Sequence, residues 1–249
     1  MEHPELILIF FSIAFLYASI GFGGGSSYIA ILALYSIDFG ALRILALICN
    51  ISVVSFSVLY YARRKMINWR EIWPLVGWSV PFAFIGGRIS LPKEQFLIVL
   101  GAVLLLASIL IFFKNRLFVK EMQEKTDSST TAKLSLGAGI GFLSGMVGIG
   151  GGIFLSPVLH LIHWNTAKRI AAAASLFILV NSIAGLLGQF STGLLQMDWK
   201  FTTRLILSVV IGGQLGIRWG TTLLSELMVR RMTAVLIFYV GIKLVWENL

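Results

Sequence analysis

The chain has 249 residues, 57% of them hydrophobic and only 12% charged, with a mean hydropathy of +0.90. Soluble domains carry about 25% charged residues, so this chain has about half the charge needed to cover a water-facing surface. The composition is that of an all-α polytopic membrane protein. It excludes a nucleic-acid-binding reading of the net charge of +9, because the basic residues crowd into loops between apolar runs, as the positive-inside rule expects.

Eight apolar segments follow one another, at residues 6–35, 42–62, 72–89, 96–113, 134–161, 170–190, 202–223 and 228–245. The first has acidic flanks at Glu2 and Glu5 rather than a basic leader, so no cleavable signal peptide is expected there. It is interrupted by Gly21-Phe-Gly-Gly-Gly25, and the fifth by Gly148-Ile-Gly-Gly-Gly152. Glycine frees the backbone and exposes N–H groups that hydrocarbon cannot satisfy. Such breaks persist in a membrane where they line a cavity, and paired breaks in paired halves point to a transporter's binding site. Cys49 stands alone in an apolar run and forms no intrachain disulfide.

Residues 114–133, rich in charge, Ser and Thr, read as a cytoplasmic linker. It separates an N-terminal membrane repeat (1–113) from a C-terminal one (134–249), each with four hydrophobic segments. The glycine runs align at an offset of 127 residues. Ala41, Arg43 and Ala46 align with Ala167, Arg169 and Ala172 at 126, and Trp69, Gly86 and Arg88 with Trp199, Gly216 and Arg218 at 130. This is the pattern of two homologous repeats.

Equivalent loops carry opposite charge bias. Arg63, Arg64, Lys65 and Arg70 follow the second segment, where the other half has Asp198 and Lys200; Lys168, Arg169, Arg230 and Arg231 are basic where the first half is not. That bias predicts inverted topology, which requires one segment per half not to cross. Each arm of the glycine-broken first segment spans about 21 Å as helix, short of a core of about 30 Å, so it is expected to be re-entrant.

A helix restarting after each break presents unpaired N–H groups and a partial positive charge. Two such N-termini meeting near the midplane would form an anion site, which nominates Gly23, Gly24, Gly25, Ser26, Ser27, Gly150, Gly151 and Gly152. The bland reading of the same glycines is close helix packing. Among the polar residues of the next segments (Asn50, Ser52, Ser55, Ser57, Ser175, Asn181, Ser182, Gln189), Asn50, Ser175 and Asn181 are the candidates for lining the cavity, the others tying helices together. Arg88 and Arg218 suit sulfonate, sulfite or carboxylate oxygens, or else snorkel toward headgroups. Tyr17, Tyr28, Trp69 and Trp199 read as helix contacts or interfacial anchors.

An enzyme is not expected. Gly-Phe-Gly-Gly-Gly-Ser lacks the βαβ setting of a dinucleotide loop. Ser144 in Gly141-Phe-Leu-Ser-Gly145 has no histidine deep in an apolar span to activate it. His160 and His163 read as a weak surface pair at a segment end, and no metal or cofactor is called for.

The stretch from Gly148 to Leu176 combines GxGGG, an apolar turn with Ser-Pro, a basic loop and an Ala-rich helix with Ser-Leu. In this it resembles the TauE/SafE family, which includes sulfite and organosulfonate exporters, and the resemblance extends over nearly the whole chain. It implies a multi-pass permease of the bacterial inner membrane for small sulfur-containing or organic anions, driven by an H+ or Na+ gradient. It also implies roles for the glycine-run residues and the polar face of the following helix. The first half departs from the pattern, with Ala30 where the second has Pro157 and Ile48-Cys49-Asn50 near where it has Ala174-Ser175-Leu176. The leading expectation is a secondary transporter working by alternating access. An anion channel or a structural membrane protein is the alternative, and no oligomeric state is indicated.

Overall fold

The computed structural model describes residues 4–35, 39–89, 101, 105, 108–109, 130–162, 164–191 and 199–246. Most of the expected segment 96–113 and most of the linker fall outside the described residues. Among those described, all regular structure is helical: α1 (Pro4–Ser19), α2 (Gly25–Leu34), α3 (Phe39–Arg63), α4 (Trp69–Arg88), α5 (Thr130–Val147), α6 (Gly152–Leu161), α7 (Ala167–Phe190), α8 (Trp199–Leu223) and α9 (Glu226–Trp246). Helix α5 begins inside the stretch expected as linker.

Among the described residues, two helices are long and apolar enough to cross a bilayer, α3 from Ala41 and all of α7. They pack on each other at the centre of the structure. Around them the packing is reciprocal: α1 lies on α8, and α4 on α5; α3 also packs on α8, and α4 on α7. Outward faces carry large apolar side chains, among them Leu207, Ile211 and Leu215 at one-turn intervals along α8. Such an exposed stripe belongs in hydrocarbon rather than water.

Glycine explains how closely the outer pairs approach. Along α8, Gly212, Gly216 and Gly220 face the carbonyls of Phe11, Phe15 and Ser19 on α1; along α5, Gly137, Gly141 and Gly145 face those of Leu75, Ser79 and Ala83 on α4. A Cβ at any of these glycines would strike a backbone oxygen. Both registers ascend together, so α1 runs parallel to α8 and α4 parallel to α5. The same holds for α3 and α8, where Val53 meets Gly213 and the Thr221 hydroxyl donates to Tyr60 Oη at 2.9 Å.

The breaks have a stated cause. At the end of α1, the Gly21 N–H bonds to the Ala18 carbonyl and the Phe22 N–H to that of Tyr17, with Gly21 at φ +83°. This is a Schellman closure, which needs a residue in the left-handed region. At the end of α5, the Gly148 N–H bonds to the Ser144 carbonyl, with Gly148 at φ +81°. After the first break the chain turns back on itself. Phe10 stacks on Tyr28 with ring centroids 4.6 Å apart, and the Tyr35 hydroxyl hydrogen-bonds Glu5. Helices α1 and α2 therefore form a hairpin with the break at its apex.

Candidate functional site

The two breaks come together across α3 and α7, and one side chain touches both. A Cβ built on Gly23 would meet Asn50 Oδ1, and one on Gly25 would meet Asn50 Nδ2; from the other break, a Cβ on Gly150 would stand 3.2 Å from the same nitrogen. Only glycine allows the amide this close to three backbone positions. Asn50 is fully buried, and neither Oδ1 nor Nδ2 has a hydrogen-bond partner. A buried amide left unpaired costs about 1–3 kcal/mol, so this arrangement points to a ligand.

More polar atoms without partners surround it. The Ser182 hydroxyl lies 2.7 Å from the Cβ position of Gly150, and that of Ser144 lies 3.1 Å from that of Gly151. Both are buried and unpaired. The helix starts supply donors. In α2 the Tyr28 N–H closes on the Gly24 carbonyl, and in α6 the N–H groups of Phe154 and Leu155 close on that of Gly151. The N–H groups before them have no place in the helical ladder. The carbonyls of Gly24, Gly151 and Gly21 are already used, by these bonds and by the Ser175 hydroxyl on Gly21. Gly24, Gly150 and Gly151 all adopt positive φ, at +91°, +77° and +79°, which turns the chain so that α2 and α6 start at the site.

Arg43 adds charge. It is 5% exposed, and its Nη2 donates to the Gly145 carbonyl at 3.1 Å, near the C-terminal end of α5 where the helix dipole favours a cation. Its Cβ lies 3.3 Å from the Cβ position of Gly148. Arg43 and Asn50 stand two turns apart on one face of α3, about 10 Å along its axis. No aspartate or glutamate is buried among the described residues.

Of the residues nominated from sequence, Gly23, Gly25, Gly150 and Asn50 meet directly. Gly24 packs against Ile13 and the Tyr28 ring, Gly151 against Phe177 and Ser144, and Gly152 against Ile178. Ser26 and Ser27, in the first turn of α2, are half-buried, and Ser27 Oγ lies 2.7 Å from Tyr17 Oη. Ser175 is buried and donates to the carbonyls of Gly21 and Ala171, at 2.8 and 2.9 Å, so it holds the first break in place. Asn181 ties α7 to α4, its Nδ2 donating to Ser79 Oγ at 3.0 Å, while its Oδ1 is unpaired.

Arg88 and Arg218 do not join the cluster. Both are exposed, and the Arg88 guanidinium lies over Phe84, 5.9 Å from the ring centroid. The reason is visible in the sequence around them. Gly86 and Gly216 face neighbouring helices, and a residue two positions on is rotated by about 200° to the opposite face. His160, expected at the surface, is buried; His163 lies outside the described residues. Arg43, Ser144 and Ser182 were not nominated as site residues. Arg43 could have been found as an arginine inside a span long enough to cross the membrane.

A sequence model of the family described as "Sulfite exporter TauE/SafE" matches residues 6–244. The "Probable membrane transporter protein y4hK" of Sinorhizobium fredii is 32% identical over 252 residues, covering 98% of this chain and 99% of that protein. "Probable membrane transporter protein YunE" of Bacillus subtilis is 25% identical over 78% of this chain and 76% of its own. "Probable membrane transporter protein MJ0441" of Methanocaldococcus jannaschii is 26% identical over 74% and 71%. No solved structure matches the chain. With a glycine-broken helical core and a family match over almost its whole length, the chain belongs to the TauE/SafE family of membrane transporters and is not an enzyme.

Proposed function

We propose that this protein is a secondary transporter for a small anion such as sulfite, a sulfonate or a related organic anion, bound between the two glycine breaks. The observation that carries the reading is the convergence of both breaks on the unpaired amide of Asn50. Anion preference is supported by the donors at the starts of α2 and α6 and by the buried Arg43, with no buried carboxylate opposing them among the described residues. The name of the matching family adds sulfite as the first substrate to try.

Alternating access of two inverted repeats is the proposed mechanism. Helix α4 runs parallel to α5, and the short connection between α3 and α4 reverses the chain if both enter the bilayer. Helix α5 then points opposite to α1, as inversion requires. The hairpin of α1 and α2 fits a re-entrant element, since α1 with 16 residues reaches only about 24 Å. The proposed location is the bacterial inner membrane, with H+ or Na+ as the coupling ion.

The test is counterflow of labelled sulfite in proteoliposomes holding the purified protein, with sulfonates and carboxylates as competitors. Saturable exchange, lost in a folded Gly151→Leu variant, is expected. Absence of exchange with every anion, from folded protein, would sink the proposal; currents far above carrier rates would assign a channel.

A further inference from the structure

We propose that the site between the breaks selects a small anion that also carries a hydrogen-bond donor, an O–H or N–H group, and that Asn50 makes the selection. This rests on the anion-transport reading and narrows its substrate class.

A carboxamide presents one acceptor oxygen and one donor nitrogen, whichever way it is turned. Both are buried and unpaired in Asn50. An anion with acceptors only satisfies Nδ2 and the N–H groups at the helix starts, yet sets its lone pairs against Oδ1. An anion with a donor beside its charged oxygens satisfies both atoms at once. The neighbouring polar groups do not discriminate in this way, because the Ser144 and Ser182 hydroxyls rotate to donate or accept. Other neighbours of the breaks, Val54 and Ile178, are apolar.

A bound cation is the competing occupant for the amide oxygen. It would call for several oxygens, and three at the breaks are already engaged: the Gly21 carbonyl by Ser175, the Gly24 carbonyl by the Tyr28 N–H, and the Gly151 carbonyl by Phe154 and Leu155. Among the unpaired buried side-chain atoms at the breaks, Asn50 Oδ1 is one that can only accept, so it sets the pattern.

The test uses pairs of labelled anions that differ by one hydroxyl, acetate with glycolate and ethanesulfonate with 2-hydroxyethanesulfonate, in proteoliposome counterflow. The wild-type protein should exchange the hydroxylated member with a half-saturation at least about tenfold lower, since a site built to bond a donor leaves its own group unpaired when that donor is missing. An Asn50→Leu variant, with the same branched side-chain shape and no polar atoms, should bring the ratio close to one. Equal half-saturation within each pair would overturn the proposal, as would a preference that persists in Asn50→Leu. A Na+ requirement that disappears in Asn50→Leu, with no preference within the pairs, would give the oxygen to a cation and also overturn it. The wild-type comparison needs no variant to fold. Exchange of none of the four anions while sulfite is still exchanged would overturn the selection alone, and exchange of neither the four nor sulfite would remove the transport reading beneath it.

Discussion

Two glycines on one helix should respond to alanine in opposite directions. Gly145 lies near the end of α5 with its Cβ position on the Ala83 carbonyl oxygen, a backbone atom that cannot swing aside; Gly139, on the same helix, is exposed with nothing within 4 Å of its Cβ position. A C···O contact wants about 3.3–3.6 Å, so Gly145→Ala forces α4 outward by about 1 Å at that point. The glycine–carbonyl contacts at Gly137, Gly141 and Gly145 weaken together, each worth about 0.5–1 kcal/mol. Adding a methyl to a packed interface independently costs about 1–3 kcal/mol. The expected loss is about 2 kcal/mol, or roughly 4–8 °C in Tm for a chain of this size. Gly139→Ala, in contrast, gains helix propensity of about 0.8–1 kcal/mol and should raise Tm by roughly 2–4 °C. Thermal unfolding of the purified variants in one detergent measures both. Transport adds a second readout, because the Gly145 carbonyl holds Arg43 and should fail with Gly145→Ala only. Equal Tm changes in the two variants would refute the packing argument.

Gly151→Ala places a side chain at φ +79° with its Cβ 2.9 Å from Phe177. The left-handed conformation alone costs about 1–2 kcal/mol, so both stability and counterflow should fall, the latter even at temperatures where the variant stays folded. Arg43→Met should abolish anion exchange while Arg43→Lys keeps part of it; exchange at wild-type rates in Arg43→Met would remove the charge from the account. Ser175→Ala leaves the Gly21 carbonyl short of a donor and should cost about 1 kcal/mol. Ser57→Ala, whose hydroxyl bonds only within its own helix at 3.4 Å, should be close to neutral in the same melt. Cysteines replacing Glu5 and Tyr35 should react with an impermeant thiol reagent from the same side of the membrane, and labelling from opposite sides would exclude the re-entrant hairpin.

Much of this arrangement is legible in the sequence. The glycine runs announced themselves, because only a required left-handed turn or a close backbone approach explains eight such residues in hydrocarbon. Asn50 was legible as a polar residue one helix after a break. What could not be read was rotation. Ser52, Ser55 and Ser57 look like Ser175 in sequence, yet their hydroxyls donate to carbonyls of their own helix, whereas Ser175 reaches across to Gly21. That difference is decided by how α3 and α7 pack, which hydropathy does not encode. Alignment of the halves had the same weakness. Arg43 was aligned with Arg169, but the residue that faces Gly21 as Arg43 faces Gly148 is Ala171; Arg169 is exposed.

The differences between the halves bear on how a carrier built this way would work. Contacts that need bare backbone are reciprocal: Gly21 and Gly148 end the first helices, and each first helix is clasped by the fourth helix of the other half. Polar groups are not reciprocal. Asn50 and Val54 stand against Gly23 where Ile178 and Ser182 stand against Gly150, and Arg43 has alanine as its counterpart. On the alternating-access reading, inward and outward states exchange the roles of the two halves. A symmetric scaffold then keeps those states close in energy, which turnover demands, since a ligand shifts an equilibrium only by its differential affinity. The ligand itself has no two-fold axis. A site that was also symmetric would offer it two half-occupied binding modes, each leaving polar atoms unpaired in a dry cavity. Gathering the charge and the amide on α3, and leaving a hydroxyl and apolar surface on α7, would give the proposed anion one orientation. On that reading, backbone geometry serves the motion, and the side chains that differ between the halves serve the substrate.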